Sequence, residues 1–370
     1  MAGSIKRYSP KEFWPVHPLD DNGGAPVFYN LYLGAAGVMW ALEYLGNLGL
    51  AESIPDFSSS FDGLIAANRD WIRNFECSSN GFLVADSGIL LVGAKLIGPE
   101  YAASRLAIAI DANQASPVEE LMWGTPGTML AALFIYEWTG DEAWADRFRR
   151  DAKSLGTRLE RFAPTDCHLW RQELYGNSVL SLGGVHGFAG NVFPLIRGWN
   201  LLSGSEQQQW GEHIEHTLRV TAVQRDGLMN WPPSVGTPRP GRTDLLVQQC
   251  HGAPGIVNCV AHLPDARIDG LLLAAGELIW TAGPLAKGTN LCHGTAGNGY
   301  AFLKLFQRTK DEKWLHRARR FAMHSIEQCN RDLQKYEDLR YSLWTGDLGL
   351  AIYLWHCIQA TDDFPTLDVF

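Results

Sequence analysis

The sequence predicts an all-α chain folded as a seven-fold α/α toroid, a double ring of inner and outer helices. Three observations carry this. A small-x-x-Gly step followed by about a dozen mostly apolar residues recurs along the whole length. The stretches between the copies place apolar residues at helical spacing against a charged face. Strand signals are sparse.

The copies are GAAGVMWALEYL from 34, ADSGILLVGAKL from 85, GTPGTMLAALFI from 124, GFAGNVFPLIRG from 187, GAPGIVNCVAHL from 252, GTAGNGYAFLKL from 294 and GDLGLAIYLWHC from 346. Intervals of about 40 to 65 residues suit a structural unit with variable insertions and exclude a tight solenoid. The segments after each step are apolar almost all round, which predicts helices buried on every side. Glycines at their entries allow tight turns and close approach. Between them, 61–76, 142–162, 205–222 and 311–329 read as amphipathic outer helices. Alternation of the two kinds, seven times over, is what closes a ring with its glycine turns at one end; the competing arrangement is an irregular helical bundle. One domain is expected over 1–370, with an irregular N-terminal segment 1–28 and a long loop 226–249 rich in proline and glycine.

Composition narrows the function. A net charge of -9 with scattered acidic residues argues against nucleic acid as a partner. The first residues hold no apolar signal core, and no run of about 18 apolar residues offers a membrane span, so the reading is cytoplasmic. Seven widely spaced cysteines make a poor disulfide scaffold.

His-Gly-x-x-Gly stands out within the repeat. Chance predicts roughly 0.1 occurrences, and the chain has His186 in VHGFAG, His251 in CHGAPG and His293 in CHGTAG. Cys250, Cys292 and His293 occupy equivalent turns that a toroid would bring together at its mouth. Two thiolates and a neutral imidazole form a three-ligand Zn2+ shell of zero net charge, with a fourth position open for substrate. Such an electron-rich zinc suits holding a substrate thiol as thiolate, so the predicted chemistry is thiolate addition or transfer. A closed structural site with His251 as fourth ligand is the alternative. His186 reads as a general acid or base, and Glu120 as the carboxylate that orients it or shuttles a proton. Lys287, five residues before Cys292, reads as a group that stabilises an enolate or binds a substrate carboxylate. Trp123, Trp344 and Tyr300 read singly as core. A carbohydrate-active toroid would need two carboxylates across a cleft, and no acidic pair stands at equivalent turns.

On these residues, GVHGFAG, CHGAPG, LCHGTAGNGYAFL and SLWTGDLGLAIYL with FPTLD, the sequence resembles the lanthionine synthetase C-like family. The resemblance implies Zn2+ held by Cys250, Cys292 and His293. It implies addition of a thiol, from glutathione or a peptide cysteine, to dehydroalanine or dehydrobutyrine in a peptide or protein. His186 would take part in proton transfer, and His251 stands where peptide cyclases have a tyrosine. Glu120 stands where cyclases carry an aspartate, Gln249 replaces a usual tryptophan, and Lys287 is shared with glutathione-binding stand-alone relatives. A thiol-binding or sensor protein without turnover is the alternative on the same ring.

Overall fold

A computed structural model describes residues 2–10, 12–20, 24–73, 78–236 and 245–370. Cys77 and the middle of the 226–249 loop lie outside the described residues.

The chain opens with α1 (Ala2–Arg7), α2 (Ala35–Asn47), α3 (Phe61–Ile72), α4 (Asp86–Ile97), α5 (Pro99–Asn113), α6 (Thr125–Thr139) and α7 (Glu142–Thr157). It continues with α8 (Phe188–Arg197), α9 (Gly204–Thr221), α10 (Ala253–Val260), α11 (Asp269–Ala282), α12 (Thr295–Thr309), α13 (Glu312–Tyr336) and α14 (Asp347–Gln359). All seven glycine steps begin an even-numbered helix from α2 to α14, and these are the buried ones. Each packs on the next, and α14 packs on α2, so the inner helices close a ring.

The second glycine explains why the motif is small-x-x-Gly. Gly37, Gly88, Gly127, Gly190, Gly255, Gly297 and Gly349 are each the third residue of an inner helix. A Cβ at any of them would press on the carbonyl group of the residue six positions earlier, where the turn folds back under the helix. Side chains are excluded there by contact, and only Gly252 among the residues of these seven steps also needs positive φ, at 103°.

Backbone hydrogen bonds then link turn to turn. The Tyr32 N–H donates to Leu83 O at 2.9 Å, Leu83 N–H to Met122 O at 3.2 Å, and Leu121 N–H to Val185 O at 3.1 Å. Cys250 N–H donates to Cys292 O at 3.1 Å, Cys292 N–H to Trp344 O at 3.0 Å, and Trp344 N–H to Tyr32 O at 3.2 Å. Between the fourth and fifth turns Gly184 lies directly on Gln249 O, too close for a Cβ. The result is a circular belt through the residue two before each step: Tyr32, Leu83, Met122, Val185, Cys250, Cys292 and Trp344.

The outer ring departs from expectation. Among the described residues six amphipathic helices, the odd-numbered α3 to α13, cover the inner seven. The place before α2 holds only six-residue α1 in an otherwise irregular segment. Pro10, Pro15, Pro18 and Pro26 interrupt it, and proline within a helix removes a donor and clashes with the preceding turn. Beside that place Met323 on α13 and Ile358 on α14 are 60% and 67% exposed.

Short strands fill the insertions that precede α8 and α10. Strands β1 (Glu160–Phe162) and β2 (Cys167–Leu169) pair, as do β3 (Arg171–Leu174) and β4 (Asn177–Ser181), all antiparallel. A third pair, β5 (Val223–Arg225) and β6 (Leu228–Asn230), leads into the long 226–249 stretch, and β7 (Ser234–Val235) adds to β4. The β3–β4 hairpin reaches the third turn, where Tyr175 Oη accepts from Trp123 Nε1 at 2.9 Å. After α14 the chain turns into the ring, and the Phe370 side chain packs among Trp40, Phe82, Phe134 and Trp138. Among the described residues no helix is long and apolar enough to cross a membrane.

Candidate active site

Chemistry-bearing residues gather on the belt. Because Cys250 and Cys292 hold the same position in adjacent turns, their side chains lie together, thiol hydrogen-bonded to thiol. The bond from Cys292 brings the Cys250 thiol down to about 7 against the opposing effect of burial. The same bond, followed by burial, pushes Cys292 well up. A third belt residue, Tyr32, hydrogen-bonds the Cys292 thiol, and its ring stacks on Trp344 with centroids 5.4 Å apart. Gln248 Nε2 donates to Cys250 Sγ at 3.0 Å, and Lys287 Nζ donates to Gln248 Oε1 at 3.1 Å.

His293 follows Cys292 on the same turn, whose backbone is pinned by a 2.9 Å bond from His293 N–H to Asn290 Oδ1. Burial, aided by the charges of Arg340 and Lys287, pushes its imidazole down to about 4, so it is neutral at pH 7. Arg340 is itself paired with Asp20, with Nε 2.8 Å from Oδ2. Among the described residues no three His, Cys, Asp or Glu side chains stand together as a metal-holding group. Of the three expected ligands, then, the structure brings the two thiols into contact, and His293 is the next residue after Cys292 on the sixth turn. In kind, two buried thiols and a neutral imidazole are the donors a zinc ion takes.

The residue one before the glycine carries the second half of the site. His186 Nδ1 lies 2.9 Å from Glu120 Oε2. Glu120 is fully buried, and its other oxygen accepts the Trp123 N–H, so the carboxylate is fixed at both oxygens. The imidazole is 27% exposed. In its protonated form the imidazole favours the Cys250 thiolate. The His251 ring stands 6.2 Å from it, centroid to centroid, at a tilt of 33°. Glu120, His186, His251, Cys250, Cys292 and His293 therefore occupy the third to sixth turns at one end of the ring.

Other expectations are corrected or refined. Lys287 bonds Gln248, so its ammonium stands behind Cys250 through a carboxamide. Gln249 leaves the pocket altogether: it is buried, its Oε1 2.6 Å from Asn258 Nδ2. Trp123, Trp344 and Tyr300 are core residues. The remaining described cysteines have thiols pushed up first by burial, Cys329 and Cys357 both to about 12. Motifs read one by one do not single out Tyr32, Gln248 or Asn290. Alignment of the turns contains the signal for two of them, since NLYLG (30–34) and NLCHG (290–294) set Tyr32 against Cys292 and Asn30 against Asn290. Both asparagines cap the turn alike, Asn30 Oδ1 accepting Leu33 N–H at 2.8 Å.

A closed ring of inner helices under an outer layer, with paired cysteines and a carboxylate-held histidine on its glycine turns, fits the lanthionine synthetase C-like class of fold. The family model for lanthionine synthetase C-like protein matches residues 25–369, and the chain belongs to that family. It is 33% identical over 272 residues to "Glutathione S-transferase LANCL1" of Danio rerio, covering 68% of this chain and 62% of that one. It is 31% identical over 266 residues to "LanC-like protein GCL1" of Arabidopsis thaliana, covering 68% and 58%. The matches thus span about three-fifths of these relatives' length. The solved structure of nisin cyclase superposes with a TM-score of 0.61 at 15% identity, covering 94% of this chain and 95% of that one, a likeness of fold.

Proposed function

We propose that this chain catalyses zinc-dependent addition of a thiol to the β-carbon of dehydroalanine or dehydrobutyrine, forming a lanthionine-type thioether. The observation that carries the reading is the meeting of Cys250 and Cys292 on the belt, one turn from the Glu120–His186 pair. Family membership and a relative named a glutathione S-transferase favour glutathione as the thiol, with a dehydroamino-acid-containing peptide or protein as acceptor.

Cys250, Cys292 and His293 would hold the ion. Bound Zn2+ would supply a coordination position in which a substrate sulfur is a thiolate at neutral pH. In the reaction the S–H bond breaks and a C–S bond forms at the β-carbon. The electron pair of the carbon–carbon double bond moves to the α-carbon, which takes up a proton. His186 is the residue to deliver it. With Nδ1 held by Glu120, Nε2 would carry the proton that is transferred, and the buried carboxylate would stabilise the imidazolium. The fixed turns hold these groups in register, so positioning contributes alongside proton transfer.

The test is incubation of the protein with glutathione and a dehydroalanine peptide, with and without chelator, followed by mass spectrometry. A zinc-dependent adduct at the dehydroalanine supports the reading. Tight glutathione binding with no adduct would replace it with a thiol-binding protein.

A further inference from the structure

The couple behind Cys250 carries the inference. Gln248 is buried and its backbone is held at both ends, its N–H donating to His251 O at 3.0 Å and its carbonyl accepting His251 N–H at 3.1 Å. Its side chain therefore has few degrees of freedom beyond the rotation of its own amide. That rotation matters, because one face of a carboxamide donates and the other accepts. Turned one way it gives an N–H to the Cys250 sulfur; turned the other it sets an oxygen lone pair against a thiolate. Lys287 decides between them. An ammonium has only donors, so its contact with Oε1 at 3.1 Å fixes the oxygen on its own side and leaves Nε2 on the sulfur at 3.0 Å. The neighbouring Gln249, bonded to Asn258, takes no part.

We propose that Lys287 and Gln248 form a positioning couple that holds an N–H on the Cys250 sulfur and sets how much electron density that sulfur gives to the bound ion. This rests on the zinc reading above. A hydrogen bond to a metal-bound thiolate drains charge from the sulfur, and groups behind the ligands tune a metal in this way. With it in place the centre is a stronger acceptor for the substrate thiol. Lys287 thus acts through Gln248, and the substrate-free protein already feels it.

The experiment uses the full chain loaded with Co2+ in place of zinc, reading the near-ultraviolet thiolate-to-cobalt charge-transfer band without substrate. Gln248→Leu and Lys287→Met are each expected to move the band to longer wavelength, since an undrained sulfur gives up an electron more easily. The double variant should shift no further than Gln248→Leu alone, and Lys287→Arg should restore the wild-type band. An unmoved band in Lys287→Met beside a shifted one in Gln248→Leu would overturn the couple and return Lys287 to the substrate. No shift in either would remove the hydrogen bond itself. Absence of any thiolate–cobalt band in the wild type, or a wild-type band surviving Cys250→Ala, would sink the metal assignment first, a result separate from the other two.

Discussion

Glu120 Oε2 holds His186 Nδ1 at 2.9 Å across two turns of the ring, 66 residues apart in sequence, with the carboxylate wholly out of water. An imidazole fixed in this way has one tautomer and one orientation, which is what a proton donor at a carbon centre requires.

His186→Asn should lower the rate of thioether formation by about 100- to 10,000-fold, the usual range for a lost acid–base group. Zinc content should stay at the wild-type value, because the histidine is outside the ligand set. Single-turnover assays beside elemental analysis check both, and a wild-type rate in this variant would remove His186 from the mechanism.

Metal removal should abolish the reaction and spare the fold. The ring is closed by backbone bonds and packed helices, none of which passes through Cys250 or Cys292 side chains. Dialysis against a chelator is therefore expected to leave the far-ultraviolet circular dichroism unchanged, with added Zn2+ restoring turnover. Cys250→Ala and Cys292→Ala should each lose stoichiometric zinc; retention by both would end the ligand assignment.

Gly297→Ala should destabilise the protein by about 1–3 kcal/mol, the cost of forcing a methyl group into a filled space, because its Cβ would press on the Leu291 carbonyl. Gly63→Ala, on the exposed face of α3 with nothing within 4 Å of the added carbon, should instead stabilise by about 0.5–1 kcal/mol through the helix preference of alanine. Thermal melts of the two variants moving in the same direction would contradict the steric account of the motif.

Stability should fall as the solution is acidified through the histidine range. His356 is buried between Tyr44, at Nε2, and Tyr300, at Nδ1, both at 2.9 Å. Burial pushes it down to about 4, against the nearby charges of Asp362 and Asp368 and with that of Lys304. The folded form thus stays neutral where the unfolded chain, near 6.5, takes a proton. Protons favour the unfolded state between these values, so stability is full above about pH 6.5 and is lost down to about 4, by up to about 3 kcal/mol for this group. His213, also pushed to about 4 by burial, adds to the slope. Melting temperature against pH should be shallower in His356→Gln than in wild type; equal slopes would show that His356 does not titrate across this window.

The inner ring was legible because its rule is local. A glycine three residues into a helix, under an apolar run, marks each turn wherever it occurs, and all seven were found. Cys250, Cys292 and His186 share that legibility as residues of the glycine turns, since CHG and VHG announce themselves. Gln248 did not, because a polar residue two before a cysteine has no meaning until Lys287, 39 residues on, is seen to hold its oxygen. Tyr32 was legible only through alignment of the turns, where NLYLG sets it in the place that NLCHG gives to Cys292. Among the described residues the alternation has six outer helices, and Pro10, Pro15, Pro18 and Pro26 lie in the segment before α2 where a seventh would stand.

Open stacks of repeats need polar end units, and they fray from those ends. The contact of Trp344 with Tyr32 leaves this molecule without an end unit at all. Every inner helix has a neighbour on both sides, and peeling one away breaks two junctions at once. The closure also brings the Tyr32 hydroxyl to Cys292, a meeting that waits until the first and sixth turns are both in the ring. A chain emerging from synthesis would make that contact only once Trp344 had closed the ring.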